Sequence, residues 1–308
     1  MGNVVVLGSL NYDCFAVVDE FPKPGQTLAA RMLDFNLGGK GANQAVAAAR
    51  QGANVSMIGC VGDDSAGTAY IAYLKRRKVQ TTGIIVRQEE HTGTAMIFVR
   101  KRDGENTIVV GGGANETLRP SEVEAQQPLI AMGRIMLAQF EVPMDCVVAG
   151  LKLAKPMGTA TCLNPSPWRD DFPWGEVELD FVIVNEDEAA ALLGRQPFYL
   201  SDEDWVLPKM RDMRIETLIV TRGESSTLAF STVLVSIEVP TMKVQPVDTV
   251  GAGDCFAGTF AARWADNREF HNSVRAANVA GALATLERGT QEAIPPREVV
   301  DQALANLP

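Results

Sequence analysis

The strongest chemical signal lies near the carboxyl end, in Asp248-Thr249-Val250-Gly251-Ala252-Gly253-Asp254 followed by Cys255-Phe256-Ala257-Gly258. A turn of small residues runs straight into an apolar helix. Gly251 and Gly253 remove side chains, so a ligand can approach the backbone closely. The free amides of the first helical turn, with the positive end of the helix dipole, form an anion site. Asp254 sits in that first turn. An ordinary N-terminal cap also accounts for an Asp there, but a cap needs one small residue and three precede this one. A carboxylate beside an anion site suits a base that takes a proton from an attacking hydroxyl while the amides hold a transferred phosphoryl group.

Other positions carry weaker signals. In Gly38-Gly39-Lys40-Gly41-Ala42-Asn43 the glycines again open a helix, and Lys40 and Asn43 offer donors. A tight strand-to-helix turn explains the same residues. The phosphate-loop pattern G-x-x-x-x-G-K-[ST] fails, because Gly41 follows Lys40. Asn11 and Asp13 flank Tyr12 at the end of the first strand, where an open parallel sheet binds its ligands; a simple turn fits as well. Glu141 follows another strand. Asn185 and Glu188 share one face of a helix start, able to hold a metal-bound phosphate through water or simply to cap the helix. The sequence holds two histidines, His91 and His271, and no G-x-S-x-G, H-E-x-x-H or G-x-G-x-x-G after the first strand. A Ser-His triad, a His zinc site and a dinucleotide oxidoreductase are therefore disfavoured.

These residues need a scaffold, and the chain can build one. Hydrophobic residues make up 46% of 308, enough for a large core. Apolar runs at 4–10, 55–60, 134–139, 158–163, 181–184 and 218–221 read as strands. Helical patterns at 40–51, 66–78, 144–155, 186–193, 253–265 and 273–286 alternate with them. This predicts an α/β fold, a central and mainly parallel sheet flanked by helices. Segments 12–18, 27–37 and 94–110 break the alternation and read as ribbons of one small accessory sheet, a lid over a pocket. The expected organisation is a single domain, 1–308, with that lid. In 27–37, Leu28, Met32 and Leu37 alternate with polar neighbours, which predicts a symmetric homodimer through the lid.

The net charge of −10 argues against nucleic acid as a partner. Five cysteines, odd in number and without C-x-x-C, argue for free thiols in a reducing compartment. With no signal-peptide pattern and no apolar run of roughly 18 residues, the expectation is a soluble cytoplasmic protein without a membrane partner.

Taken in order along the chain, N-x-D, G-G-K-G-A-N-Q-A, the strand-end Glu, N-x-x-E and D-T-x-G-A-G-D resemble the ribokinase-like sugar kinases, and among them the ribokinases most. The resemblance spans Val5-Val6-Leu7-Gly8-Ser9 to Gly289 and Pro295. It implies an ATP-dependent carbohydrate kinase with a β-lid, Asp254 as base, and Gly251, Ala252 and Gly253 as anion hole. It implies sugar contacts from Asn11, Asp13, Gly39, Lys40, Asn43, Glu141 and Asp254. For nucleotide and Mg²⁺-phosphate it implies Asn185, Glu188, Thr221, Gly223, Gly253 and Asn278. For a K⁺ loop it implies Asp248, Val250, Ala284, Glu287, Gly289 and Ala293. Three places depart from the family pattern: Glu224-Ser225-Ser226 replaces a second Gly, Glu287 and Ala293 replace Arg and Ser, and Tyr12 replaces a small residue, which is expected to trim the sugar pocket. With no basic cluster beyond Lys40 for a sugar phosphate, the expected substrate is a neutral sugar, ribose before a hexose such as fructose, and nucleosides third. A sugar sensor of the same fold is the reading from another class; intact Asp254, Gly251 and Gly253 argue against it.

Overall fold

The computed structural model describes residues 1–307; Pro308 lies outside the described residues. The chain opens with β1 (Asn3–Leu7), β2 (Asn11–Val18), β3 (Met32–Gly38), α1 (Lys40–Arg50), β4 (Asn54–Gly62), α2 (Ser65–Arg76) and β5 (Val79–Arg87). It continues through β6 (Thr94–Arg100), β7 (Asn106–Gly111), α3 (Pro120–Glu124), α4 (Gln127–Met132), β8 (Ile135–Ala138), α5 (Met144–Ala154) and β9 (Ala160–Leu163). Then come β10 (Leu179–Val184), α6 (Glu186–Leu193), α7 (Glu203–Asp212), β11 (Ile215–Val220), β12 (Thr227–Ser231) and β13 (Ile237–Val239). The helices α8 (Ala252–Asn267), α9 (Phe270–Ala284) and α10 (Arg297–Ala305) close it.

Nine strands form the central sheet in the order β13-β12-β11-β10-β9-β8-β1-β4-β5. From β11 to β5 every pairing is parallel, and β12 and β13 join antiparallel at one edge. Side chains alternate across a strand, so β1 feeds two cores. Val4 and Val6 pack with α1, α8 and α9 on one face; Val5 and Leu7 pack with α3 and α5 on the other. That is the expected mainly parallel sheet with helices on both faces.

A separate four-stranded sheet has the order β3-β2-β6-β7. It gathers the three ribbons expected to form a lid, with two refinements. Residues 27–31 are not strand, and 94–110 is two strands around a turn. Pairing puts Tyr12, Cys14 and Ala16 opposite Leu37, Phe35 and Leu33, and Cys14 beside Met96, which faces Val109. These residues share one apolar face. Asn11 and Asp13 lie on the other, with Met32. Of the expected stripe, Leu37 lies on the apolar face and Leu28 borders it, but Met32 is replaced by Leu33 and Phe35, because β3 begins only at Met32 and the strand period fixes the register.

Several elements escaped the sequence. In β5, Gln80, Thr81, Thr82 and Gly83 interrupt the apolar pattern. In β12 and its neighbour, polar groups are buried in pairs, the hydroxyls of Thr217 and Ser231 meeting at 3.0 Å. Short α3, α4 and α7, the last with Pro208 inside it, carry little periodicity.

Candidate active site

Helix α8 begins after Gly251, whose φ of 80° lies in the left-handed region that favours glycine. This bend aims the first turn outward. Ala252, however, turns its N–H back to Thr249 O at 3.3 Å, so of the three expected anion-hole amides those of Gly251 and Gly253 are left without a partner among the described residues. A Cβ on Gly253 would meet nothing within 4 Å, so a ligand can approach the backbone there.

Asp254 lies in this turn and is 6% exposed. Two amides clamp its carboxylate. Asn43 Nδ2 donates to Oδ2 and Gln44 Nε2 donates to Oδ1, each at 3.0 Å. Both come from α1, which can approach α8 this closely because the contact is built from glycine and alanine. A Cβ on Gly258 would sit 2.3 Å from Gln44 O. Gln44 is oriented in turn, since Gln139 Nε2 donates to its Oε1 at 2.6 Å and its own Nε2 also reaches Asn164 Oδ1 at 3.0 Å.

A cavity of about 220 Å³ opens in front of Asp254, lined also by Lys40, Ser166, Asn185, Glu188, Thr221, Gly251 and Gly253. The ammonium of Lys40 thus stands among these groups. The Asp254 carboxylate holds its pKa above the ordinary lysine value, with burial opposing and Glu141 and Glu188 adding. It is a fixed positive charge in a cavity of carboxylates, suited to a polyanion. Asn185 and Glu188 form a reciprocal cap on α6. Asn185 Oδ1 accepts from Glu188 N at 2.8 Å, and Glu188 Oε2 accepts from Asn185 N at 2.9 Å. Capping and cavity lining therefore coexist. Thr221 leaves β11 with its N–H and hydroxyl on Val184 O.

Past Lys40 lies a second polar cluster. Glu141 Oε2 accepts from Lys40 N at 2.9 Å and from Ser9 Oγ at 2.5 Å. Asp13 accepts from Ala95 N at 3.1 Å. Burial pushes its carboxyl up to about 7, the Ala95 amide opposing and the Glu141 charge adding. Asn11 Oδ1 accepts from Asn115 Nδ2 at 2.8 Å. Gly39 packs against this group, and a Cβ there would lie 2.8 Å from Asn11 N. Asn11, Asp13, Gly39, Lys40, Asn43, Glu141 and Asp254 are therefore neighbours across four elements. Tyr12 is not among them. It stacks on Phe35 at 5.8 Å on the opposite face of β2, so the expected trimming of the pocket does not occur.

Two predicted positions stand apart. Asn278 is spent inside the protein: its Oδ1 accepts from Thr227 Oγ1 at 2.7 Å and its Nδ2 reaches Val239 O and Pro240 O. Gly223 does not line the cavity; its loop is pinned by Arg222, which donates to Ser226 O, Phe198 O and Glu238. This clamp holds the Glu224-Ser225-Ser226 departure in place.

Among the cation-loop residues, Asp248 accepts from Val250 N at 3.1 Å and Gly289 N at 3.4 Å, and Thr285 O accepts from Val247 and Asp248. Asp248, Val250 and Gly289 meet at one turn beside α9, which ends at Ala284. Glu287 is exposed and Ala293 buried.

Residues 1–297 match the pfkB family carbohydrate kinase. The chain belongs to that family. A ribokinase of Haemophilus influenzae is 35% identical over 96% of either chain. A deoxyribokinase of Salmonella typhi is 30% identical over 98% of this chain and 99% of its own. The structure of an Arabidopsis thaliana ribokinase complexed with ribose and ATP superposes with a TM-score of 0.89 at 26% identity, covering 98% of each chain.

As a pfkB-family chain it is an ATP-dependent carbohydrate kinase, and its central sheet and separate small sheet follow its ribokinase neighbours. Residues that sequence reasoning missed are the orienting amides: Gln44, Asn115, Gln139, Asn164 and Gln291. Gln44 had a visible signal, a lone amide in the alanine-rich run after Asn43. Nothing local marked the others.

Proposed function

We propose that the protein transfers the γ-phosphoryl group of ATP to the 5-hydroxyl of D-ribose. The observation that carries this reading is the clamped carboxylate of Asp254, facing a cavity shared with Lys40 and with Gly253, whose amide has no partner among the described residues. The relatives named ribokinase and the neighbour complexed with ribose and ATP support the choice of sugar.

In the mechanism, the sugar lies along Asn11, Asp13, Gly39, Asn43 and Glu141, which offer acceptors and donors to several hydroxyls. Asp254 accepts the proton of the attacking hydroxyl. The amides of Gly251 and Gly253 and the ammonium of Lys40 stabilise charge on the transferred phosphoryl. Asn185, Glu188 and Thr221 line the phosphate end, while Gly223 and Asn278 stand outside this cavity. Glu188 uses one carboxylate oxygen on its cap, and a single buried carboxylate fits Mg²⁺, which keeps most of its waters and is held through few protein groups. Bound there, Mg²⁺ would neutralise phosphate charge. K⁺ would be held by Asp248 and by the backbone of Val250, Ala284, Glu287, Gly289 and Ala293, of which Asp248, Val250 and Gly289 meet at one turn.

The small sheet is read as a lid on one α/β domain, and its apolar face as a homodimer interface. Five free cysteines support a reducing, cytoplasmic setting, and among the described residues no helix is long and apolar enough to cross a membrane. The test is kcat/KM by ADP release for ribose, 2-deoxyribose, fructose, fructose 6-phosphate and adenosine. Ribose is expected first. 2-Deoxyribose is expected lower, by about 1–3 kcal/mol for the polar group left unpaired. Fructose 6-phosphate or adenosine in first place would overturn the sugar assignment, and 2-deoxyribose in first place would move the protein to the deoxyribokinases.

A further inference from the structure

A chain of hydrogen bonds leads from Asp254 through Asn43 to Gln291 and Tyr70, which line neither the cavity nor the sugar cluster. Asn43 Nδ2 donates to Asp254, and Asn43 Oδ1 accepts from Gln291 Nε2 at 2.9 Å. The second proton of that Gln291 amide goes to the Tyr70 hydroxyl oxygen at 2.7 Å. The Tyr70 hydroxyl donates to Gly38 O, the last carbonyl of β3. All these side chains are buried, Gln291 and Tyr70 completely. The neighbouring Thr290 Oγ1 donates to Leu37 O at 3.2 Å, a second tie from the same loop to the same strand end.

The polarity of the chain is dictated from its ends. An ionised carboxylate only accepts, so Asn43 must turn its NH₂ to Asp254 and its oxygen away. That oxygen needs a donor. The Gly38 carbonyl at the far end also only accepts, so the Tyr70 proton points to it and the Tyr70 oxygen needs a donor as well. One NH₂ group between them serves both, and Gln291 supplies it. The fold accepts a cost for this, because Gln291 Oε1 is left buried with no partner among the described residues.

We propose that Gln291 is a positioning residue that fixes the orientation of the Asn43 amide on the catalytic base and ties it, through Tyr70, to the end of strand β3 at the root of the small sheet. It touches no reacting atom. Without it, Asn43 is free to turn its oxygen toward Asp254, which replaces a donor by a repelling dipole. The inference rests on the reading of Asp254 as base. The charged and titratable groups near Asp254 are Lys40 on α1, Asp13 on β2, Glu141 after β8, Glu188 on α6 and Cys255 on α8, and none of them hydrogen-bonds Gln291.

The test uses the full chain and follows kcat and sugar KM, with ribose as the probe, from pH 5 to 9 for Gln291→Met, Tyr70→Phe and Asp254→Asn. Gln291→Met is expected to move the acidic limb of kcat upward by about one pH unit, because the base has lost a donor to its charged form. Tyr70→Phe, smaller by one oxygen, is expected to leave the limb in place and raise sugar KM several-fold, since β3 loses its tie. A folded Gln291→Met protein whose kcat is unchanged, or lowered equally at every pH, overturns the proposal. So does a Tyr70→Phe protein with the parent KM, which decides the matter even if Gln291→Met is not recovered folded. An active Asp254→Asn protein that keeps the acidic limb sinks the assignment of the base instead, so the two failures are told apart.

Discussion

Asp254 receives two amide donors before any substrate arrives, and this preorganisation is what a base needs if it is to act without rearranging its surroundings. Replacing it with Asn keeps the shape and removes the proton acceptor. Turnover is expected to fall by about 10²–10⁴-fold, with sugar binding retained by calorimetry. More than about a tenth of the parent kcat would be incompatible with the role. Asp13 offers a second test, in pH. Its folded carboxyl titrates at about 7 against an ordinary value of 3.8, so between these values the folded state binds the extra proton. Its contribution to stability is fully present below 3.8 and is lost as pH rises through about 7. In thermal unfolding without sugar, the difference in Tm between the parent and Asp13→Asn should therefore shift against the parent from pH 4 to 7 and stay level above. A constant difference across that range would show that Asp13 is not held protonated.

At the scale of elements, the site depends on how closely α1 approaches β1. A Cβ on Gly41 would lie 2.6 Å from the Gly8 carbonyl carbon and 2.6 Å from Ser9 N, backbone that cannot step aside. Gly41→Ala is expected to cost about 1–3 kcal/mol in stability and to displace Lys40 and Asn43 together, raising sugar KM and lowering kcat in the same protein. Unchanged denaturant midpoint and kinetics would show that α1 can slide. The loop before α8 is the other dependent element. Asp248 ties it to Gly289, and K⁺ bound there would order the turn that sets the anion-hole amides. Initial rates are expected to be higher in K⁺ than in Tris at equal ionic strength, with the difference abolished in Asp248→Ala. Equal rates for the parent in both would mean that Glu287 and Ala293 leave no functional cation site.

For the whole molecule, the far face of the small sheet poses the question. Leu33, Phe35, Met96 and Val109 are 57%, 50%, 48% and 56% exposed. With Cys14, Ala16 and Phe98 beside them, this is a continuous apolar surface, larger than scattered single residues would make. A second copy of the same sheet would cover it. Light scattering at micromolar concentration is expected to give twice the 33.2 kDa chain mass, and Phe35→Asp is expected to give the monomer. A parent protein at 33.2 kDa with and without sugar would refute the dimer.

The alternation of buried strands and helices, the turn before Asp254 and the glycine pair before Lys40 were all legible in the sequence. Each is local: period, turn chemistry and the residue types of a helix start are properties of neighbours in the chain. The family resemblance was legible for the same reason, as short motifs in a fixed order. What the tertiary structure decided is of another kind. It put Tyr12 on the face away from Asn11 and Asp13, because the pairing of β2 with β3 sets which residues share a face. It turned Ala252 N–H inward and spent Asn278 on Thr227, Val239 and Pro240. Above all it brought Gln291 to Asn43, separated by 248 positions, and Gln44 to Asp254, separated by 210. A hydrogen bond is directional and short, within about 3 Å, and no pattern of neighbours in sequence reports which distant amide will meet it.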